Sequence, residues 1–182
     1  VNQQNNLNYC ETISASNPCG EQMLPPYGAC LLGSINLAAL VEGHFTDRAL
    51  IDDKELVKLV TTAVRFLDNV IDISLFPLSQ QEAEAKAKRR IGLGITGLAD
   101  ALLFCGKTYG TEEAADLTRH WLGVIKRSAY RASAALAEEK GKFPHYAKKI
   151  LKQPGLASLD AKTRKLIKEH GLRNGCLTSI AP

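Results

Sequence analysis

The hexapeptide Asn17-Pro18-Cys19-Gly20-Glu21-Gln22 concentrates an amide, a thiol and a carboxylate within five positions. Pro18 biases Asn17 toward an extended conformation. In an extended segment residues i, i+2 and i+4 share one face, so Asn17, Cys19 and Glu21 are expected to meet one ligand. Gly20 leaves room for close backbone approach. A nucleophilic cysteine wants a neighbouring cation to stabilise its thiolate. Here the nearest charge is Glu21, which disfavours the thiolate, and no Lys or Arg precedes Arg48. The pattern suits a cysteine that keeps its S–H, yields a hydrogen atom and becomes a thiyl radical while the carboxylate serves as base. The competing reading is an inert cysteine buried in a turn.

Cys30 follows Cys19 by eleven residues, across a Leu24-Pro25-Pro26-Tyr27-Gly28 stretch that can reverse the chain. A second thiol beside the first could supply reducing equivalents by forming a disulfide with some other cysteine. Cys10, Cys105 and Cys176 have no such context and read as structural. The five cysteines include no C-x-x-C pair and the four histidines no H-x-x-x-H pair, so no metal site is expected. An odd, widely spaced set of thiols fits a reducing, cytoplasmic setting. Gly92-Leu93-Gly94-Ile95-Thr96-Gly97 matches G-x-G-x-x-G, but a polar helical segment precedes it and no strand with a terminal acid follows. Its glycines read as close-packing positions rather than a dinucleotide loop.

Those groups need a scaffold. The 182 residues are 45% apolar and 23% charged with a net charge of +4, a globular composition. The first 45 or so residues are loop- and strand-like, rich in Asn, Pro, Gly and Ser. From Asp53 the spacing of Leu56, Val60, Ala63, Leu67 and Val70 predicts an amphipathic helix capped by Asp52 or Asp53. A short polar helix is expected over about 79–89. A long one over about 111–140 is capped by Thr111, with Leu117, Trp121, Ile125, Ala129, Ala132 and Leu136 as its buried stripe. A last helix is expected over about 159–170, then a buried strand over 175–180. The densest basic run, Lys86, Lys88, Arg89 and Arg90, reads as a solvated helix face rather than a nucleic-acid surface, since no aromatics interleave it. No run approaches the about 18 apolar residues of a membrane span, and no signal peptide opens the chain. The opening at Val1 and the apolar run up to Pro182 read as the bounds of an interior segment of a longer protein.

Asn17 to Gln22, followed by Pro26-Tyr27-Gly28-Ala29-Cys30-Leu31-Leu32-Gly33-Ser34-Ile35-Asn36-Leu37, resembles the catalytic region of the ribonucleotide reductase large subunit, in the wording of its adenosylcobalamin-dependent (class II) branch. The resemblance continues through Leu67 to Asp72, Arg89 to Gly94 and Gly97 to Asp100, and ends at Arg173-Asn174 and Leu177 to Pro182. It implies an α/β fold, a helix-rich part of a ten-stranded α/β barrel with a central catalytic loop. Residues 1–45 would supply catalytic loop and strand, 46–172 mostly helix, and 173–182 a strand leading to a phosphate-binding turn. Half a barrel would leave sheet edges unpaired and apolar helix stripes uncovered.

The resemblance also implies roles. Cys19 would be the thiyl radical that takes the 3′ hydrogen of a ribonucleotide, Glu21 the base at the 3′ hydroxyl, and Asn17 the residue positioning the sugar hydroxyls. Cys30 would be one thiol of the reducing disulfide, its partner lying upstream of this chain. Asn17, Pro18, Cys19, Gly20, Glu21 and Pro182 would line the substrate. The implied activity is that of a ribonucleoside-diphosphate reductase, making 2′-deoxyribonucleotides for DNA replication. The implied cofactor is adenosylcobalamin, bound mostly outside this chain. The implied partners are the ribonucleotide, a thioredoxin-like reductant, the remainder of the same polypeptide and, in the full protein, a second copy in a homodimer, with no direct nucleic acid and no membrane. The alternatives are an iron- or manganese-dependent class I reductase and a non-catalytic nucleotide-binding remnant.

Overall fold

A computed structural model describes residues 1–181. Its largest helix pair follows from the apolar periodicity. Helix α1 (Asp53–Ile73) begins where the Asp52 carboxylate accepts the backbone N–H groups of Lys54 and Glu55, at 2.6 and 3.1 Å. That cap satisfies two of the donors that a helix start leaves orphaned. Leu56, Val60, Val64, Leu67 and Ile71 form its buried face. A short helix α2 (Ser79–Lys88) follows, and α3 (Leu98–Phe104) comes later. The long helix α4 (Glu112–Lys140) starts at Thr111, whose hydroxyl accepts the Ala114 N–H, with Glu112 and Glu113 at the positive end of the helix dipole. Of its expected stripe, Trp121, Ile125, Ala129, Ala132 and Leu136 are buried and Leu117 is half-buried. Helix α1 packs on α4, and α4 packs on α6 (Ala161–His170), which Asp160 caps after a short α5 (Pro154–Ala157).

The helices flank a short parallel sheet. Strand β3 (Leu31–Asn36) pairs with β6 (Ile91–Thr96), Leu31 opposite Ile91 and Asn36 opposite Thr96. Residues 176–179 run along the other edge of β6. Ile91 N–H donates to the Cys176 carbonyl, Leu93 N–H to that of Leu177, and Ser179 N–H to that of Leu93. A single parallel bridge, Leu93 to Thr178, therefore stands where a full strand over 175–180 was expected. The glycine motif is itself the central strand, which the pattern alone did not reveal. Its glycines do serve close packing, since a Cβ on Gly92 would lie 2.5 Å from Leu32 Cδ2, and one on Gly94 2.5 Å from the Ser179 carbonyl oxygen. Two antiparallel pairs complete the strands: β1 (Ala15–Ser16) with β2 (Met23–Leu24), and β4 (Val41–Glu42) with β5 (Leu50–Ile51). The architecture is helix-rich α/β. Among the described residues the sheets stay small, and no closed barrel forms.

The basic run corrects one expectation. Lys88, Arg89 and Arg90 are each 4% exposed, so only Lys86 lies on a solvated face. They are buried because acids from distant segments meet them. Glu11 binds Lys88 Nζ at 2.8 Å and Arg90 Nη2 at 2.7 Å. Burial works against the Glu11 charge, but the two cations outweigh it and hold the carboxyl below its usual range. Arg89 caps α2 in the left-handed region, at φ +47°, an uncommon place for a side chain of its size. Its guanidinium reaches Asp68 Oδ1 at 2.8 Å and both oxygens of Asp72 at 2.7 and 3.0 Å. Asp68 also accepts from Arg173 and Asn174, tying α1, the start of β6 and the C-terminal segment together.

Phe66, Ile73, Leu75 and Leu78 are exposed along and just beyond α1, the kind of uncovered apolar surface expected of part of a larger body. Among the described residues, no helix is long and apolar enough to cross a membrane.

Candidate functional site

Cys19 sits at the tip of the β1–β2 hairpin. Ala15 pairs with Leu24 and Ser16 with Met23, and Asn17 N–H donates to the Gln22 carbonyl at 3.1 Å. Gly20 N–H closes a four-residue turn onto the Asn17 carbonyl at 3.1 Å. Asn, Pro and Gly at its first, second and fourth positions are the residues such a turn favours. That signal was present in the sequence and outweighs the extended reading of Asn17 to Glu21. Gly20 has φ +79° with nothing within 4 Å of an added Cβ, so conformation rather than space calls for glycine.

The turn redistributes the three groups. Asn17 Oδ1 accepts the Gln22 N–H at 3.0 Å, bracing the turn from within. Cys19 is exposed at the tip. Glu21, on the returning leg, is half-buried, and its Oε2 is buried without a hydrogen-bond partner. An unpaired buried carboxylate oxygen is costly unless something supplies a proton or donor. Pro18 and Gly20 lie in the exposed turn, and Pro182 lies outside the described residues.

The Pro25–Gly28 segment does reverse the chain. Gly28 N–H donates to the Pro25 carbonyl at 2.9 Å, and Tyr27 takes φ +60°. This brings Cys30 into electrostatic reach of Glu21. Burial, then the neighbouring Cys176 and Glu21, push the Cys30 thiol up to about 12, while Arg90 acts in the opposite direction. Cys30 therefore rests as a thiol.

Cys176 has more context than its sequence position suggested. Arg90 Nη1 donates to its sulfur at 2.9 Å, and it lines a cavity of about 400 Å³ together with Glu21, Gln22, Arg90, Lys126 and Tyr130. Burial raises the Cys176 thiol and outweighs the nearby cations. Strand register separates it from Cys30. Leu31 and Cys176 flank Ile91 on opposite edges of β6. Two strand spacings put Leu31, the neighbour of Cys30, about 10 Å from Cys176 across β6. All five cysteines are free.

A family model described as ribonucleotide reductase, barrel domain, matches residues 1–182. Among curated proteins, a vitamin B12-dependent ribonucleoside-diphosphate reductase of Thermoplasma acidophilum is 36% identical over 100% of this chain and 23% of its own length. A protein of the same description from Mycobacterium tuberculosis is 40% identical over 93% of this chain and 22% of its own length. A ribonucleoside-diphosphate reductase subunit alpha of Chlamydia trachomatis is 32% identical over 93% of this chain and 18% of its own length. The chain thus spans about a fifth of the length of these relatives.

Proposed function

The chain belongs to the ribonucleotide reductase barrel-domain family, and from that premise we propose that it is the segment of a catalytic subunit that carries the radical cysteine and base for reducing ribonucleotides to 2′-deoxyribonucleotides. The observation that carries this reading is the hairpin itself: an exposed Cys19 thiol at its tip, a buried unpartnered Glu21 oxygen on its leg, and Cys30 close enough to feel the Glu21 charge. In the whole protein, β3, β6 and residues 173–182 would be strands of the ten-stranded barrel around this hairpin, with 1–45 as catalytic loop and strand and 46–172 as flanking helices. Pro182 would open the turn that binds the phosphates. The full subunit would work in the cytoplasm as a homodimer.

The side chains divide the chemistry. The Cys19 thiyl takes the hydrogen atom from C3′, regenerating its S–H. Glu21 accepts the 3′-hydroxyl proton, which its unpaired oxygen is free to do. Asn17 and the Pro18–Gly20 backbone orient the sugar. The C2′ hydroxyl leaves as water, and Cys30 with a partner thiol supplied from outside this chain gives up two protons and two electrons, closing a disulfide as C2′–OH becomes C2′–H. Cys19 then returns a hydrogen atom to C3′. A thioredoxin-like dithiol would reopen the disulfide.

The B12-dependent description of the Thermoplasma acidophilum and Mycobacterium tuberculosis relatives favours adenosylcobalamin as the radical source. This chain's residues fit such a group at one point, the exposed Cys19 thiol, which nothing covers on the hairpin tip. The corrin would be held by residues outside the chain. When bound, cobalamin would supply homolytic radical chemistry, and Cys19 would be the residue that yields its hydrogen atom to it. A direct test is turnover of a 3′-deuterated ribonucleotide by a full-length subunit carrying this chain. The reading expects slower turnover than with the unlabelled nucleotide and deuterium retained at C3′ of the product. Exchange of all the label into water, or turnover without any 3′ label involvement, would contradict it.

A further inference from the structure

Among the described residues, one hydrogen bond alone joins the hairpin 15–24 to the body of the protein beyond its own base. Ser179 Oγ donates to the Glu21 backbone carbonyl at 3.0 Å, across 158 positions of sequence. The other hydrogen bonds of the hairpin close upon itself: Ser14 to Leu24, Asn17 to Gln22, Gly20 to Asn17, and the Asn17 side chain to Gln22. From these contacts we infer that Ser179 is a positioning residue for Glu21, a role that rests on the reading of Glu21 as the base of ribonucleotide reduction.

Three features make Ser179 suited to this. Its residue is 9% exposed, so its hydroxyl does not trade freely with water. Its backbone is locked to the central strand, with Ser179 N–H donating to the Leu93 carbonyl at 3.1 Å. Its own carbonyl packs so closely on Gly94 that a Cβ there would lie 2.5 Å away. The hydroxyl is therefore a fixed point, and it grips the very residue whose side-chain oxygen is buried and unpaired. Gln22, the next residue, is also buried against this strand, since a Cβ on Gly92 would lie 2.7 Å from Gln22 Nε2 and 3.1 Å from Ser179 Cβ. Packing at Gln22 sets the height of the returning leg. The Ser179 bond sets the rotation of the Glu21 peptide, and through it the direction of the carboxylate. Cys19 lies beyond the reach of this constraint at the exposed tip, so the bond orients the base without fixing the radical thiol.

The test uses a full-length subunit carrying this chain and four variants: Ser179→Ala, Ser179→Thr, Glu21→Gln and the Glu21→Gln/Ser179→Ala double variant. A lost neutral hydrogen bond corresponds to roughly a five- to tenfold effect. Ser179→Ala is expected to lower kcat by about that factor while KM changes less than about twofold, because substrate binding does not use the bond. Ser179→Thr, which keeps the hydroxyl, is expected to recover most of the loss. The double variant should be no slower than Glu21→Gln alone, since Ser179 acts through that carboxylate. A kcat for Ser179→Ala within about twofold of the parent, or a multiplicative loss in the double variant, overturns the inference. Full turnover by Glu21→Gln would instead overturn the assignment of the base itself. If Ser179→Ala does not fold, Ser179→Cys replaces it, a similar side chain with a weaker donor, and the same comparison with Ser179→Thr decides the outcome.

Discussion

The hairpin that carries Cys19 packs against β6 at Gln22, and the basic turn opens that same strand, yet the two are held in opposite ways. The hairpin tip is exposed, braced mostly by its own backbone, and joined to the body by the Ser179 bond. The turn at Lys88 to Arg90 is buried and gripped by carboxylates from three distant positions, Glu11, Asp68 and Asp72. The residues proposed to carry the chemistry are lightly tethered, and the basic turn is locked. Charge buried in this way is a poor source of net stability compared with apolar packing, but losing one partner of it is severe, because the other is left uncompensated. This set of ion pairs thus fixes where β6 begins, and the strand start fixes where Arg90 meets Cys176.

The sharpest way to break this contrast is to remove Glu11. Glu11→Ala leaves Arg90 buried without a carboxylate partner and Lys88 with Glu84 alone, and a loss of about 3–5 kcal/mol is expected in chemical denaturation. Arg65→Ala removes an exposed partner of Glu139 and is expected to leave the midpoint almost unchanged. Equal losses from the two variants would show that this set of ion pairs is worth no more than a surface pair.

A smaller effect concerns acid. The folded-state pKa of Glu11 lies below its ordinary value, so its contribution is present above the unfolded value of about 4.3 and disappears as pH falls through the folded value. Asp160, held to about 2 by its Thr163 and Arg131 partners, extends the same trend to lower pH. Stability should therefore fall as pH drops below about 4, and Glu11→Gln should make the curve shallower over that window. A steeper curve for the variant would contradict the assignment.

Smaller again is the difference between two thiols. Cys19 is exposed, whereas Cys30 is partly buried with its thiol pushed up to about 12. Iodoacetamide at mildly alkaline pH should label Cys19 of this chain before Cys30, read by peptide mass spectrometry. Faster labelling of Cys30 would mean that the hairpin tip is covered.

The two regions also differ in how much of them could be read from the residues. Helices α1 and α4 announced themselves because one apolar stripe and one capping residue suffice to specify each. Asn17, Cys19 and Glu21 stood out in the sequence as a set of groups that could do chemistry. Their arrangement did not, because the extended bias of a residue before proline competes with the Asn-Pro-x-Gly turn signal, and the turn prevails. The burial of Lys88 to Arg90 escaped because its partners lie far off in sequence, Glu11 on one side and Asp68 on the other. One local signal did exist. Asp68 sits directly beside Leu67 in the buried stripe of α1, and an acid in that position requires a cation. The pairing of residues 176–179 with β6, and hence the setting of Cys176 and Ser179, depends on contacts between the middle of the chain and its last residues that no local pattern encodes.

The central claim is that Cys19 carries the radical and Cys30 the reducing equivalents. The measurement that bears on it most directly compares Cys19→Ser with Cys30→Ser in a full-length subunit, assayed together for deoxynucleotide, nucleotide binding and loss of base from the nucleotide. Serine is close to cysteine in size, but its O–H is much harder to homolyse than S–H. Cys19→Ser should therefore bind nucleotide and neither reduce nor degrade it. Cys30→Ser should still start the reaction at C3′ and, lacking the dithiol, release free base instead of deoxynucleotide. Normal deoxynucleotide yield from Cys19→Ser, or two variants that both leave the nucleotide intact, would contradict the division of roles.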